Sequence, residues 1–231
     1  MLVERDIDCG ELYGAQRREL VALARSLTED QLRTTVPATP EWSVHDVVAH
    51  VVGIAADLNA GRFGSEDPDV WTRRQVETRR DHSVDELAGE WEREARTFEE
   101  GLRLLGYEIG SHYVGDLLHH IVDVRSALGL QRIPDDLTLV VALDFYLDSL
   151  HQTLSAAAIG SLEVRTPDES WVVGEGEVVA SVAASRFEVF RCLGGRRSGA
   201  QIRQLEWSGA VDTVLPHLSR YPLPNRDLID T

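Results

Sequence analysis

The chain has 231 residues, 23 basic and 39 acidic, for a net charge of −16, and every one of the 23 is arginine. Without lysine there is neither a P-loop amine for phosphates nor a Schiff-base nucleophile. So acidic a chain is also a poor partner for nucleic acid or an anionic membrane, where binding rests on neutralising phosphates with basic surface.

A helix is expected from Glu11 to Leu27, with Leu20, Leu23 and Leu27 in one apolar stripe. Thr28-Glu29-Asp30-Gln31 has the capping-box pattern that opens a short helical turn. Pro37-Ala38-Thr39-Pro40 stops any helix there, and Ser43 is the expected N-cap of a second long one, with Asp46 in its first turn. Its stripe is Val44, Val47, Val48, Val51, Ile54, Ala55 and Leu58, and Gly61 ends it. Residues 61–81, rich in Gly, Asp and Arg, read as a loop with at most one helical turn near Trp71. Ser83-Val84-Asp85-Glu86 opens a third helix carrying Leu87, Trp91, Phe98, Leu102 and Leu105, closed by Gly106.

A fourth helix is expected from about Ser111 to Leu128, with Val114, Leu117, Ile121, Val124 and Leu128 inward. A fifth follows Pro134 and Asp135, with Leu137, Val140, Val141, Leu147 and Leu154 inward. Amphipathic helices joined mostly by short links predict an antiparallel bundle over residues 1–160. Past Gly160 the pattern changes to strand candidates at 162–166, 171–173, 178–179 and 201–207, with helices at 183–193 and 210–218. Residues 161–231 therefore read as a small α+β module, and the fold class as α+β.

Cys9 and Cys192 lie far apart and form no CxxC, so neither a disulfide framework nor a thiolate zinc site is expected, and both read as buried or incidental. The start, Met1-Leu2-Val3-Glu4-Arg5-Asp6, lacks the basic-then-apolar order of a signal peptide. Its longest uncharged apolar stretch, Leu137 to Leu143, falls far short of the roughly 20 residues that cross a bilayer. A cytoplasmic protein is the expectation. All-arginine basicity, with abundant Ala, Val, Gly, Asp and Glu, points to a GC-rich bacterial genome.

Of eight histidines, the informative ones fall in Gly115-Asp116-Leu117-Leu118-His119-His120-Ile121-Val122-Asp123-Val124-Arg125. Asp116 and His120, four apart, stand one above the other on a helix face, which is how a helix offers two ligands to one divalent ion. Asp123 shares that face and could accept a hydrogen bond from the free imidazole N–H. His50, bordering the apolar stripe of the second helix, is the candidate third ligand. The same three residues of the fourth helix lie roughly 100° from its apolar stripe, where an ordinary solvated face begins, and His50 alone also fits a hydrogen-bonded histidine at the core edge.

The segment Pro37-Ala38-Thr39-Pro40-Glu41-Trp42-Ser43-Val44-His45-Asp46-Val47-Val48-Ala49-His50-Val51 resembles the start of the mycothiol-dependent maleylpyruvate isomerase family, within the wider DinB-like metal-binding bundle superfamily. The spacing Asp116…His120…Asp123, in a string ending Asp123-Val124-Arg125-Ser126-Ala127-Leu128-Gly129, is similar to that family's second signature. The resemblance covers most of 10–160 and, more loosely, the C-terminal part including Gly194-Gly195-Arg196-Arg197-Ser198. It implies a DinB-like four-helix bundle plus an extra helix, followed by an SCP2-like module. It also implies a divalent metal, usually zinc, held by His50, Asp116 and His120. The isomerase has Glu where this chain has Asp116, one methylene shorter, and His119 is a lower-ranked substitute ligand.

Two imidazoles and one carboxylate leave a Zn²⁺ site at net +1 with an open position, and a thiol bound there loses its proton. The resemblance names mycothiol as that thiol and suits an actinobacterial source. The reaction would be transfer of sulfur to, or cis–trans isomerisation of, a small electrophile. Arg196 and Arg197 could hold a substrate carboxylate, with Asp123 a further catalytic candidate; a solvated or salt-bridged turn is the plainer reading of the two arginines. The alternatives are a metal-dependent hydrolase that activates water, with Asp123 or His119 as base, and a non-catalytic bundle that binds a metal or other ligand. A small-molecule electrophile and a low-molecular-weight thiol are the expected partners, with no nucleic acid and no membrane, the protein being a monomer or homodimer.

Overall fold

Capping chemistry sets the helix starts. In the computed structural model, which describes residues 3–62, 67–131 and 136–230, Asp8 caps α1 (Cys9–Ser26), and Thr28 with Gln31 closes a capping box on α2 (Glu29–Leu32). Ser43 with Asp46 does the same for α3 (Val44–Asn59), and Ser83 with Glu86 for α5 (Val84–Leu105). Between them lies α4 (Pro68–Glu77), capped by Asp67 and begun by a proline. Gly106, at φ 86°, makes the sharp link to α6 (Tyr107–Ala127), which begins four residues before its expected start. Residues 63–66 of the expected loop, and Pro134 and Asp135 ahead of the expected fifth helix, lie outside the described residues.

The chain divides into two compact units, 6–133 with 230–231, and 1–5 with 134–229. In the helical unit α1, α3, α5 and α6 pack on one another, and α4 packs on α3. The core includes Tyr13, Leu20, Val47, Val51, Leu87, Trp91, Phe98, Leu117 and Ile121. Tyr13 meets Trp91 and Phe98 with ring centroids 6.3 and 4.8 Å apart. The expected stripes of the second and fourth helices are inward except at their last residues, Leu58 and Leu128, which are half-buried. On α1 the inward face is Tyr13, Arg17, Leu20 and Ala24, so Leu23 and Leu27 are only half-covered. Leu105 of α5 is exposed. Arg17 is buried and answered by Glu92 and Glu99 at 2.5 and 2.9 Å.

The second unit holds α7 (Leu137–Ala157), β1 (Ser161–Arg165), β2 (Ser170–Val173), β3 (Val178–Ala183), α8 (Arg186–Leu193), α9 (Gly199–Arg203), β4 (Glu206–Gly209) and α10 (Val211–Val214), which runs into a 3₁₀ turn at Leu215–His217. The sheet order is β2-β1-β3-β4, with β1 and β3 parallel and both outer pairs antiparallel. Leu162 and Val164 of β1 are buried while Glu163 and Arg165 are half-exposed, the alternation of a strand with one covered face. Helix α7 packs on β1, β2 and α8, so it belongs with the sheet, and the boundary expected at 160/161 falls inside this unit. Arg5 clasps the buried Asp144 of α7 at 2.5 and 3.1 Å, which places the first residues here too. Leu137, expected inward, is exposed.

One expected strand is a helix. Ser198 and Gln201 form a capping box that opens α9, and the extended segment starts only at Glu206. The alternation read over 201–207 reflects a single buried side chain, Ile202, on a short helix. The α+β class stands.

Candidate functional site

The site is built from the chain entering α3, from α3 itself, and from α4 and α6. Val36 and Trp42 are joined by a backbone bond of 2.9 Å, and Trp42 N–H reaches Thr39 O at 2.8 Å around a turn with Pro40 in its second position. This turn sets the Trp42 ring 4.8 Å from that of His50, centroid to centroid. His50 lies on α3 seven residues after its N-cap, and is 5% exposed.

On α6, His120 is 6% exposed and its ring meets that of His50 edge to face, 4.9 Å between centroids. Two histidines 70 positions apart in sequence are thus brought together. His119 and Asp123 are buried as well, and Asp116 is half-buried one turn before His120. The polar face of α6 is therefore largely covered, contrary to the solvated face that its angle from the apolar stripe allowed. The Asp116 charge reaches two phenols. Burial first, and then Asp116, push Tyr113 up to about 12; burial, then Asp116 and Glu99, raise the fully buried Tyr13 against Trp91 and Arg17.

Sequence reading missed the support of His50. Its Nδ1 lies 2.8 Å from Oε1 of Gln75, which is 1% exposed on α4. Gln75 Nε2 donates to Oδ2 of Asp57 at 3.1 Å, and Trp71 Nε1 donates to the same oxygen at 2.8 Å. Arg62 holds the other carboxylate oxygen, Nε at 3.0 Å and Nη2 at 2.9 Å. Burial raises the Asp57 pKa, but the hydrogen bonds from Arg62, Gln75 and Trp71 and the charge of Arg62 outweigh it and hold the carboxyl below its ordinary 3.8. Gly53, one turn after His50, lets α4 come this close. The signal that could have found the helix was Asp67-Pro68, an N-cap followed by proline at the first helical position.

Among the described residues no group of three or more His, Cys, Asp or Glu side chains is arranged to hold a metal ion. What the structure assembles is the imidazole pair. Trp42 also lines a hollow of about 500 Å³ with Thr39, Thr72, Arg73 and Arg80, and a larger one of about 710 Å³ lies between Arg25, Arg33, His45 and Asp85. Neither is lined by His50 or His120.

In the second unit, Arg197 is 5% exposed and bound bidentately by Glu188, Nε–Oε2 at 2.8 Å and Nη2–Oε1 at 2.9 Å. Arg196 donates to Gly194 O at 2.8 Å and lies 5.9 Å from the Tyr221 ring centre. Arg197 is thus ion-paired within this turn, while Arg196 meets a carbonyl and an aromatic ring. Burial pushes Cys9 up to about 11 and Cys192 up to about 12, so neither thiol is an activated nucleophile.

A helical unit that buries an imidazole pair between two of its helices, followed by a mixed four-stranded unit, defines the class. Residues 13–108 match the family model described as the mycothiol maleylpyruvate isomerase N-terminal domain. The matched stretch lies within the helical unit and includes the Trp42–His50 segment. A solved structure, the mycothiol-dependent maleylpyruvate isomerase in a histidine-to-alanine mutant, is similar with a TM-score of 0.50 and 13% identity, over 88% of this chain and 93% of that one. At that identity the likeness concerns the fold. No curated protein matches the chain. Among the described residues no helix is long and apolar enough to cross a membrane.

Proposed function

We propose that this protein is a thiol-dependent isomerase-like enzyme whose site centres on His50 and His120, and that these two residues with Asp116 hold a divalent metal, zinc by donor type. The donor set suits such an ion in its chemistry: two imidazoles that meet at 4.9 Å, and a carboxylate one turn away on α6. A divalent ion held there would lower the pKa of a thiol brought to it, so that thiolate forms near neutral pH.

The protein's own part is binding and exclusion of water. His50 and His120 are nearly inaccessible, and the Trp42 ring lies against that of His50 at a 45° tilt. Mycothiol is the thiol that the family points to, and a small unsaturated acid is the substrate class. Sulfur adds to one alkene carbon, the resulting single bond rotates, and elimination restores the double bond and releases the thiol unchanged. No oxidant or further reactant is needed. Asp123, buried three residues after His120, would orient that imidazole rather than meet substrate. Arg197 is left out of the substrate site because Glu188 satisfies it.

The observation that carries the reading is the buried His50–His120 pair in a chain that matches the isomerase N-terminal domain. The test is metal analysis of purified protein, with mycothiol-dependent isomerisation followed by absorbance. Wild type should hold about one divalent ion per chain and turn over only with thiol; His50→Ala and His120→Ala should lose both. A protein without metal, or turnover indifferent to thiol, would refute it.

A further inference from the structure

The histidine that the family motif supplies is held by two residues the motif does not contain. Asp57, its carboxyl held ionised by Arg62, Trp71 and Gln75, can only accept hydrogen bonds. The Gln75 group that faces it at 3.1 Å must therefore be the NH₂, which turns the amide oxygen toward His50. An amide oxygen also only accepts, so the His50 Nδ1 lying 2.8 Å away must carry the proton. A neutral imidazole has one protonated nitrogen, and its lone pair is then on Nε2. The order of polarity along Asp57–Gln75–His50 leaves no second arrangement of the neutral ring.

We propose that Gln75, its amide orientation fixed by Asp57, is the positioning residue that holds His50 in the Nδ1–H tautomer and presents Nε2 as the metal-directed donor. This rests on the reading of His50 as a metal ligand. The fold is built to permit the contact. A Cβ on Gly53 would lie 2.6 Å from Cβ of Gln75, so only glycine lets α4 approach α3 at this turn. Helix α4 is fixed on both sides: Trp71 and Gln75 bind Asp57 of α3, while Arg79, two residues past its end, reaches Glu90 of α5 at 3.0 and 2.6 Å. Its burial is otherwise slight, since Gln75 and Val76 are its only buried residues.

The experiment is long-range ¹H–¹⁵N correlation NMR of the full-length, metal-free chain at a pH where His50 is neutral. Its signals are assigned by their loss in His50→Gln, and zinc titration follows on the same samples. Wild type should show His50 protonated on Nδ1. Gln75→Met, nearly isosteric but without the amide, should populate both tautomers and bind zinc 10- to 100-fold more weakly, the usual cost of losing an outer hydrogen-bond partner. Asp57→Asn, which can donate to the Gln75 oxygen and so lets the amide turn, should move the tautomer in the same direction. An Nε2–H ring in wild type overturns the proposal before any variant is made. So does an unchanged tautomer and unchanged zinc affinity in a folded Gln75→Met. If the tautomer shifts as stated but neither protein binds zinc, the positioning role stands and the metal reading of His50 fails.

Discussion

An alanine at position 53 would place its Cβ 2.6 Å from Cβ and 2.8 Å from Cγ of Gln75, and 3.0 Å from Nη1 of Arg79. Ordinary contact begins at 3.4 Å, so α4 must retreat by about 0.8 Å. The same retreat carries the 2.8 Å His50–Gln75 bond to about 3.6 Å, beyond hydrogen-bond range. Overpacking of this kind costs about 1–3 kcal/mol, while replacing a helical glycine by alanine gains about 1 kcal/mol. The net expectation is a loss of up to about 2 kcal/mol, together with a shifted His50 ¹⁵N spectrum. Gly101 is the internal control: a Cβ there meets nothing within 4 Å, so Gly101→Ala should gain about 0.5–1 kcal/mol. Urea midpoints at unchanged m report both. If Gly53→Ala is stabilised as Gly101→Ala is, with the His50 signals unmoved, the close approach of α4 has been misjudged and the reasoning fails.

Arg197→Ala should destabilise the protein by about 2 kcal/mol, less than the 3–5 kcal/mol of a fully buried pair because Glu188 is 32% exposed. A chain of unchanged stability with a raised KM would instead return Arg197 to substrate binding. Asp57 has its pKa lowered on folding, so its contribution to stability is present above its ordinary 3.8 and is lost as pH falls through the lower folded value. Urea midpoints between about pH 2.5 and 6 should therefore fall more steeply in wild type than in Asp57→Asn. Parallel curves would show that the carboxylate gains nothing from its partners. With pKa values near 11 and 12, the Cys9 and Cys192 thiols should resist a thiol reagent at pH 8 and react only on unfolding. Rapid labelling of native protein would contradict their burial.

Local chemistry wrote itself plainly into the chain. Thr28, Ser43 and Ser83 cap helices where expected because a capping box is satisfied within one turn, whatever surrounds it. Likewise, Val47, Val51, Leu117 and Ile121 reach the core because period 3.6 puts them on one face of a helix. The pair His50 and His120 was legible through two motifs. Gln75 was not: α4 has no apolar stripe, and only the Asp67-Pro68 start marks it as a helix.

The segment 201–207 shows the reverse error, since alternating residues look the same on one turn of helix as on a short strand until something buries Ile202. Nor could the sequence say that Asp123, well off the apolar stripe of α6, would be 1% exposed, or that α7 would pack on a sheet formed after it.

Sequence by itself determined the α+β class and the starts of α2, α3 and α5, and singled out the two histidines, because each rests on contacts within a turn or on a motif. Tertiary structure alone decided that those histidines meet, that a glutamine from a helix 25 residues further on supports one of them, and that Glu188 claims Arg197. Burial and hydrogen-bond partnership across such separations depend on how whole elements pack, and no local pattern encodes that.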